Sequence, residues 1–185
     1  MKKDFGEQTY MFPMPVLMIA TYNEDGTANI MNAAWGGIHN TNEIGICIDK
    51  SHKTMTNILA KKAFTVSMAD AAHVTACDYL GIVSGNKVKD KVEKAGFTVT
   101  ASKNVDAPVI NELSMCLECK LKSIDETGEY VVGEIINVAA EESVLTDGKI
   151  DPSKLQPITY DPVNHTYIKL GEVVGKAFSD GKSLF

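Results

Sequence analysis

A chain of 185 residues with 44% hydrophobic and 23% charged side chains is long enough to bury a sizeable core and is expected to form one domain spanning 1–185. Its formal net charge of -6 excludes a general nucleic-acid binder or a binder of anionic membranes, both of which need a basic surface. A local basic pocket for a small anion stays compatible with that charge.

The N-terminus, MKKDFGEQTY, carries two lysines, but Asp4 and Glu7 follow at once. The apolar run Val16–Ala20 is short and comes after Pro13 and Pro15, so no signal-peptide core forms. Nothing approaches the ~20 apolar residues of a membrane span. The expectation is a soluble, cytoplasmic protein with no membrane and no nucleic-acid partner. Asn164-His165-Thr166 matches a glycosylation sequon, which a chain without an export signal has no use for.

In chain order, VLMIATY (Val16–Tyr22) reads as a buried strand, NEDG as a turn with Gly26 at a positive φ, and TANIMNAAW as a second strand, together a β-hairpin. IGICID (Ile44–Asp49) is a third strand. A helix follows from about Lys53 to Lys61, with Ser51 or Thr54 as its cap. AFTVSMA (Ala63–Ala69) is a fourth strand, and AAHVTACDYLGIVSG a helix ending near Gly85. DKVEKAGF holds a short helical turn stopped by glycine, and FTVTAS a strand. MCLECKLKSIDETGEYVVGEIINVAAEES is a long hairpin turning at DETGE; the remainder alternates short strands with proline-rich turns. Hairpins dominate, so the pattern predicts a mainly β fold, an antiparallel barrel with attached helices, and not a doubly wound sheet.

Four cysteines occur, at 47, 77, 116 and 119. The Cys116–Cys119 pair is a CxxC, but it sits in an alternating segment. On a strand, positions three apart face opposite ways, so the two thiols serve packing and share no metal. His73 and Cys77 share a helix face, with Asp78 beside them; without a third group in view, an ordinary packed helix is the simpler reading. His39 and His52 read as loop residues. No metal site and no side-chain nucleophile is expected.

Two stretches can carry chemistry. In SHKTMTN (Ser51–Asn57), a helix start gathers Ser51, Lys53, Thr54 and Thr56. Unpaired N–H groups, the positive dipole end, a lysine and hydroxyls suit a phosphate dianion, although a helix cap with solvated neighbours accounts for the same residues. In NIMNAAWGG (Asn29–Gly37), the only tryptophan stands beside two alanines and two glycines. Small residues let a flat ligand approach the backbone, with Trp35 as a wall and Asn32 as an amide; a strand ending in a loose Gly-Gly turn is the alternative. No GxGxxG or GxxxxGK[ST] follows any strand, so a nucleotide cofactor would be held without a Rossmann domain or P-loop.

The order of these stretches, with SGNKVKDKVEKAGFT downstream and YIKLGEVVGKAFSDGK at the end, resembles the flavin reductase-like, FMN-binding split-barrel family and within it the flavoredoxin-like proteins. The resemblance covers nearly the whole chain. It implies a Greek-key split barrel, a homodimer, and FMN near the subunit interface. By position it implies that Asn32, Ala33, Ala34 and Trp35 line the isoalloxazine and that Ser51, Lys53, Thr54, Thr56 and Asn57 hold the phosphate. It places Lys91, and less directly Lys87, near the flavin, and His165 and Tyr167 on a loop that covers the ring. Many relatives carry arginine where this chain has Lys53, which is a point charge without the bidentate fork. The implied activity is electron transfer from NAD(P)H through FMN to an acceptor. The rival is a non-catalytic carrier exchanging electrons with protein partners.

Overall fold

The computed structural model describes residues 1–185. The chain runs β1 (Met14–Pro15), β2 (Leu17–Tyr22), β3 (Ala28–Ala33), β4 (Gly36–Asn40), β5 (Glu43–Cys47), α1 (Lys53–Lys61), β6 (Ala63–Met68), α2 (Val74–Ile82) and α3 (Lys91–Lys94). It continues with β7 (Val99–Ala101), β8 (Pro108–Ile110), β9 (Met115–Ile124), β10 (Tyr130–Ala140), β11 (Leu145–Thr146), β12 (Lys149–Ile150), α4 (Pro152–Leu155), β13 (Ile158–Asp161) and β14 (Thr166–Lys169). No helix is long and apolar enough to cross a membrane.

Seven strands form one antiparallel sheet in the order β3-β2-β6-β9-β10-β5-β4. Its two edges, β3 and β4, are consecutive in the chain and joined only by Ala34 and Trp35. Such a link spans no more than about 11 Å, whereas the edges of a flat seven-stranded sheet would lie roughly 29 Å apart. The sheet must therefore curl until its edges meet. The meeting is tight: a Cβ on Gly36 of β4 would stand 2.9 Å from Leu17 Cδ1 on β2 and 3.0 Å from the Gly45 carbonyl. The barrel is closed by chain connectivity and not by a β3–β4 ladder, which makes it a split barrel.

Alternation fills it. Leu17 and Ile19 of β2, Ile44 and Ile46 of β5, Phe64 and Val66 of β6 and Cys119 of β9 point inward, and Met55 and Ile58 of α1 pack on the same cluster. The other face of β2, Met18 and Ala20, packs with Ile30 against Cys77 and Leu80 of α2, Phe97, Ile110 and Ile158. Because β2 is covered on both faces, VLMIATY reads as a continuous apolar run and not as an alternating one. The β2–β3 hairpin pairs Leu17 with Ala33 through Tyr22 with Ala28, and Gly26 turns it at φ +82°.

Three local expectations are corrected. Gly36 and Gly37 do not form a loose turn; they begin β4, which pairs with β5 from Gly36↔Ile46. The residue before α1 is His52, in extended conformation, and neither Ser51 nor Thr54 caps the helix with a side chain. Helix α2 stops at Ile82, earlier than Gly85, because Val83 turns extended. Cys116 and Cys119 are both buried free thiols, with their pKa values raised by burial, and Cys119 belongs to the barrel core.

The seam gives a direct prediction. Gly36→Val should lower unfolding stability by about 1–3 kcal/mol, since the added atoms meet the buried Leu17 side chain and the Gly45 backbone. Urea denaturation measures it; an unchanged midpoint would mean that β4 does not press on β2.

Candidate functional site

The split leaves a trough on the barrel surface made of two adjoining cavities. The first, about 250 Å³, is lined by Met31, Asn32, Ala33, Ala34 and Trp35 at the end of β3, by Cys47, Ile48, Asp49 and His52 after β5, and by Val16, Tyr160 and Tyr167. The second, about 120 Å³, shares Met31 and His52 with the first and adds Asn29, Lys53, Thr54, Leu80–Gly85 and Lys91.

The first cavity is largely apolar, with Asp49 and His52 at its border. Trp35, about half exposed, stands 6.4 Å from the Tyr160 ring. The Trp35 carbonyl accepts from the Cys47 N–H at 2.8 Å, which fixes the two sides of the opening together. Tyr167 donates to Asp78 Oδ1 at 2.7 Å, and burial pushes its hydroxyl up to about 12, so it is a neutral donor at physiological pH. Asn32 donates its Nδ2 to the Cys77 carbonyl at 3.1 Å. Its amide lies so close to Gly81 that a Cβ there would stand 2.6 Å from Oδ1. Asn32 thus borders the cavity while its amide ties β3 to α2.

The second cavity has a different chemistry. Its lining contains two lysines, a threonine and a serine, and no carboxylate. Helix α1 enters it without a side-chain cap; the Met55 N–H already bonds the His52 carbonyl at 3.1 Å, and the Lys53 and Thr54 N–H groups are the ones left for a ligand. The Thr54 hydroxyl accepts from Asn29 Nδ2 at 2.8 Å and is thereby oriented. A Cβ on Gly85 would stand 2.2 Å from Asn29 Oδ1, so glycine lets the end of α2 approach the hairpin. Free N–H groups, cations and hydroxyls around a small polar hollow fit a phosphate dianion, and the largely apolar hollow beside it, walled by Trp35 and Tyr160, suits an aromatic ring system.

Sequence-predicted residues divide accordingly. Asn32, Ala33, Ala34 and Trp35 come together in the first cavity, and Lys53, Thr54 and Lys91 in the second. Ser51, Thr56, Asn57 and His165 line neither cavity. Ser51 stands at the rim, its N–H bonded to Asp49 Oδ1 and its carbonyl to Asn86 Nδ2. Thr56 is exposed on the next turn of the helix. Asn57 is buried, and its Nδ2 donates to Thr21 Oγ1 at 3.0 Å and Asn23 Oδ1 at 2.9 Å, stitching α1 to the β2–β3 hairpin. His165 sits behind Tyr160, with its Nδ1 2.7 Å from that hydroxyl, at φ +55° in the β13–β14 turn. Lys87 is exposed outside both cavities.

Cys47, Asp49, His52, Tyr160, Ser84 and Gly85 are lining residues that sequence reasoning missed. Only His52 carried a readable signal, its place beside the hydroxyl-rich helix start. His73 pairs with Asp70 at 2.8 Å, which also accepts from the His73 N–H, and Cys77 is packed in the core with its thiol pushed up to about 12 by burial. Cys77 is thus packed and His73 held by Asp70, and neither lines either cavity.

Comparison with known proteins agrees with this architecture. The model of the flavin reductase like domain matches residues 9–162. Flavoredoxin of Desulfovibrio vulgaris (Miyazaki F) superposes with a TM-score of 0.94 at 38% identity, covering 98% of this chain and 100% of that one. Flavoredoxin from Methanosarcina acetivorans superposes at 0.90 with 32% identity over 100% of both chains. An uncharacterized Bacillus subtilis protein, YdfE, is 27% identical across 95% of this chain and 93% of its own.

Asn57→Ala should lower stability by about 1–3 kcal/mol, because it strips Thr21 and Asn23 of a buried donor. Thermal unfolding measures it, and an unchanged melting temperature would mean that the helix–hairpin stitch contributes nothing.

Proposed function

The chain belongs to the flavin reductase-like domain family, and we propose that it is an FMN-binding oxidoreductase, a single domain over 1–185 that passes electrons from NAD(P)H through FMN to an acceptor. The observation that carries the reading is the pairing of cavities: a largely apolar hollow sharing Met31 and His52 with a polar one that holds two lysines and no carboxylate. A cytoplasmic homodimer with FMN near the subunit interface belongs to the same proposal and rests on the family resemblance.

When bound, FMN supplies reversible redox chemistry that no side chain of this protein offers. The residues bind, orient and shield. Lys53, Thr54 and the free N–H groups of α1 hold the phosphate, with Ser51 at the rim. Backbone groups of Asn32–Ala34 approach the ring edge, which the small alanine side chains permit. Trp35 and Tyr160 wall the ring, and His165 steadies Tyr160 from behind. Tyr167 stays protonated, and its one hydroxyl proton is already donated to Asp78 Oδ1. Asp49 and His52 border the first cavity, with Asp49 Oδ1 already held by the Ser51 N–H, and the proposed reaction asks the protein for environment and not for covalent chemistry.

A carrier without a nicotinamide site is the second reading, favoured by the 38% and 32% identity to two flavoredoxins. Anaerobic addition of NADH or NADPH to the FMN-loaded protein separates the two. Rapid loss of the oxidised flavin absorption with turnover is expected; persistence of the colour with both donors would overturn the reductase and leave the carrier.

The double variant Lys53→Ala/Thr54→Ala should weaken FMN binding by about 2–3 kcal/mol and riboflavin binding much less, since only FMN carries the phosphate. Equal losses for both ligands, measured by fluorescence titration, would remove these residues from the phosphate site.

A further inference from the structure

Lys91 is the only buried lysine in the chain, 3% exposed. Its Nζ donates to the Leu80 carbonyl at 3.2 Å and the Val83 carbonyl at 2.9 Å, at the C-terminal end of α2. The helix dipole favours a cation there. An ammonium has three donors; two are used, and Lys91 also lines the second cavity. None of the four ion pairs in the structure includes it. Its burial therefore has no compensating charge within the chain, and burial pushes its pKa down to about 8.

The surroundings hold no carboxylate to rescue it. On α2, Asp78 is engaged by Tyr167, and Tyr79 opens elsewhere beside His73. On its own helix, Asp90 pairs with Lys94, and Glu93 faces a separate hollow. Strand β3 presents no titratable side chain towards it. At the start of α1, the groups that share the cavity are His52, just before the helix, and Lys53, which adds a second positive charge. Burial with no anion beside it is what opposes protonation of Lys91.

Resting on the flavin reading above, we propose that Lys91 is a proton-coupled latch: an anion in the second cavity, the phosphate of FMN, completes its ammonium, and at alkaline pH the protein takes up a proton at Lys91 Nζ as that anion binds. The proton comes from solvent, Nζ passes from the neutral amine to the ammonium, and no other bond changes. The sign follows from linkage. The anion raises the Lys91 pKa, so affinity is flat from above the second ionisation of the phosphate, about pH 6, up to the value of the empty protein, and falls as pH rises above it. Occupancy by FMN thus depends on pH through a residue that needs no contact with the reacting part of the ring.

Isothermal titration of the full chain with oxidised FMN, in two buffers of different ionisation enthalpy at pH 7 and pH 9, reads the proton directly. The expectation is net uptake of about 0.9 proton at pH 9 and close to none at pH 7, where release from the phosphate offsets the small uptake at Lys91, with affinity about tenfold weaker at pH 9. Lys91→Met should abolish the uptake and flatten the pH profile, and its melting temperature checks that it folds. Riboflavin, which lacks the phosphate, should take up no proton; equal uptake with riboflavin would overturn the phosphate as partner of Lys91. FMN binding without proton uptake by the natural protein at pH 9 would overturn the latch and leave the flavin reading standing. Failure of FMN to bind at either pH would overturn the flavin reading beneath both.

Discussion

The two-residue link from Ala33 to Gly36 governs the molecule. It joins the opposite edges of a seven-stranded sheet, and since two residues cannot bridge a flat sheet of that width, the sheet must curl and stay split where the link crosses. The inward apolar residues of β2, β5, β6 and β9 then have one core to fill. The site is a by-product of the same closure. Asn32–Trp35 are the link and its approach, Cys47 is held to Trp35 by a backbone bond, and the loop after β5 delivers His52 and the start of α1 to the same opening.

The trough divides its chemistry by length. At one end, alanines and aromatic rings offer largely apolar area, with Asp49 and His52 at its border; at the other, an uncapped helix, Lys53 and Lys91 concentrate positive charge in a chain whose net charge is -6. Field strength in so small a hollow is set by the nearby groups and not by the distant surface, which salt screens within about 10 Å. A ligand with an apolar planar part and a terminal anion satisfies both ends together, and neither end alone identifies it.

Much of the barrel was legible because its signals are local. VLMIATY-NEDG-TANIMN carries both its strands and its turn within seventeen residues, and the Gly26 position has the φ that the turn demands. Strand β4 was illegible because its sequence, GGIHN, lacks alternation and its side chains are mostly exposed; it is a strand only because closure lays it along β5. The site was half legible for the same reason. Lys53 and Thr54 announce themselves beside a helix start, but Asn57, in the same polar run, is turned the other way by Thr21 and Asn23. Ser84, Gly85 and the burial of Lys91 arrive from about thirty residues downstream, and no spacing within the helix start encodes them. Sequence resemblance supplied Lys91, while its lack of a carboxylate partner became visible only in three dimensions.

The central claim is that the split holds the flavin ring against Trp35, and the chain has one tryptophan. Titrating the flavin-free protein with FMN while recording tryptophan emission tests this without a variant. The account predicts deep quenching that saturates at one FMN per chain, because the indole walls the ring cavity. FMN binding, shown by equilibrium dialysis, that leaves the emission unchanged would place the ring elsewhere and contradict the account.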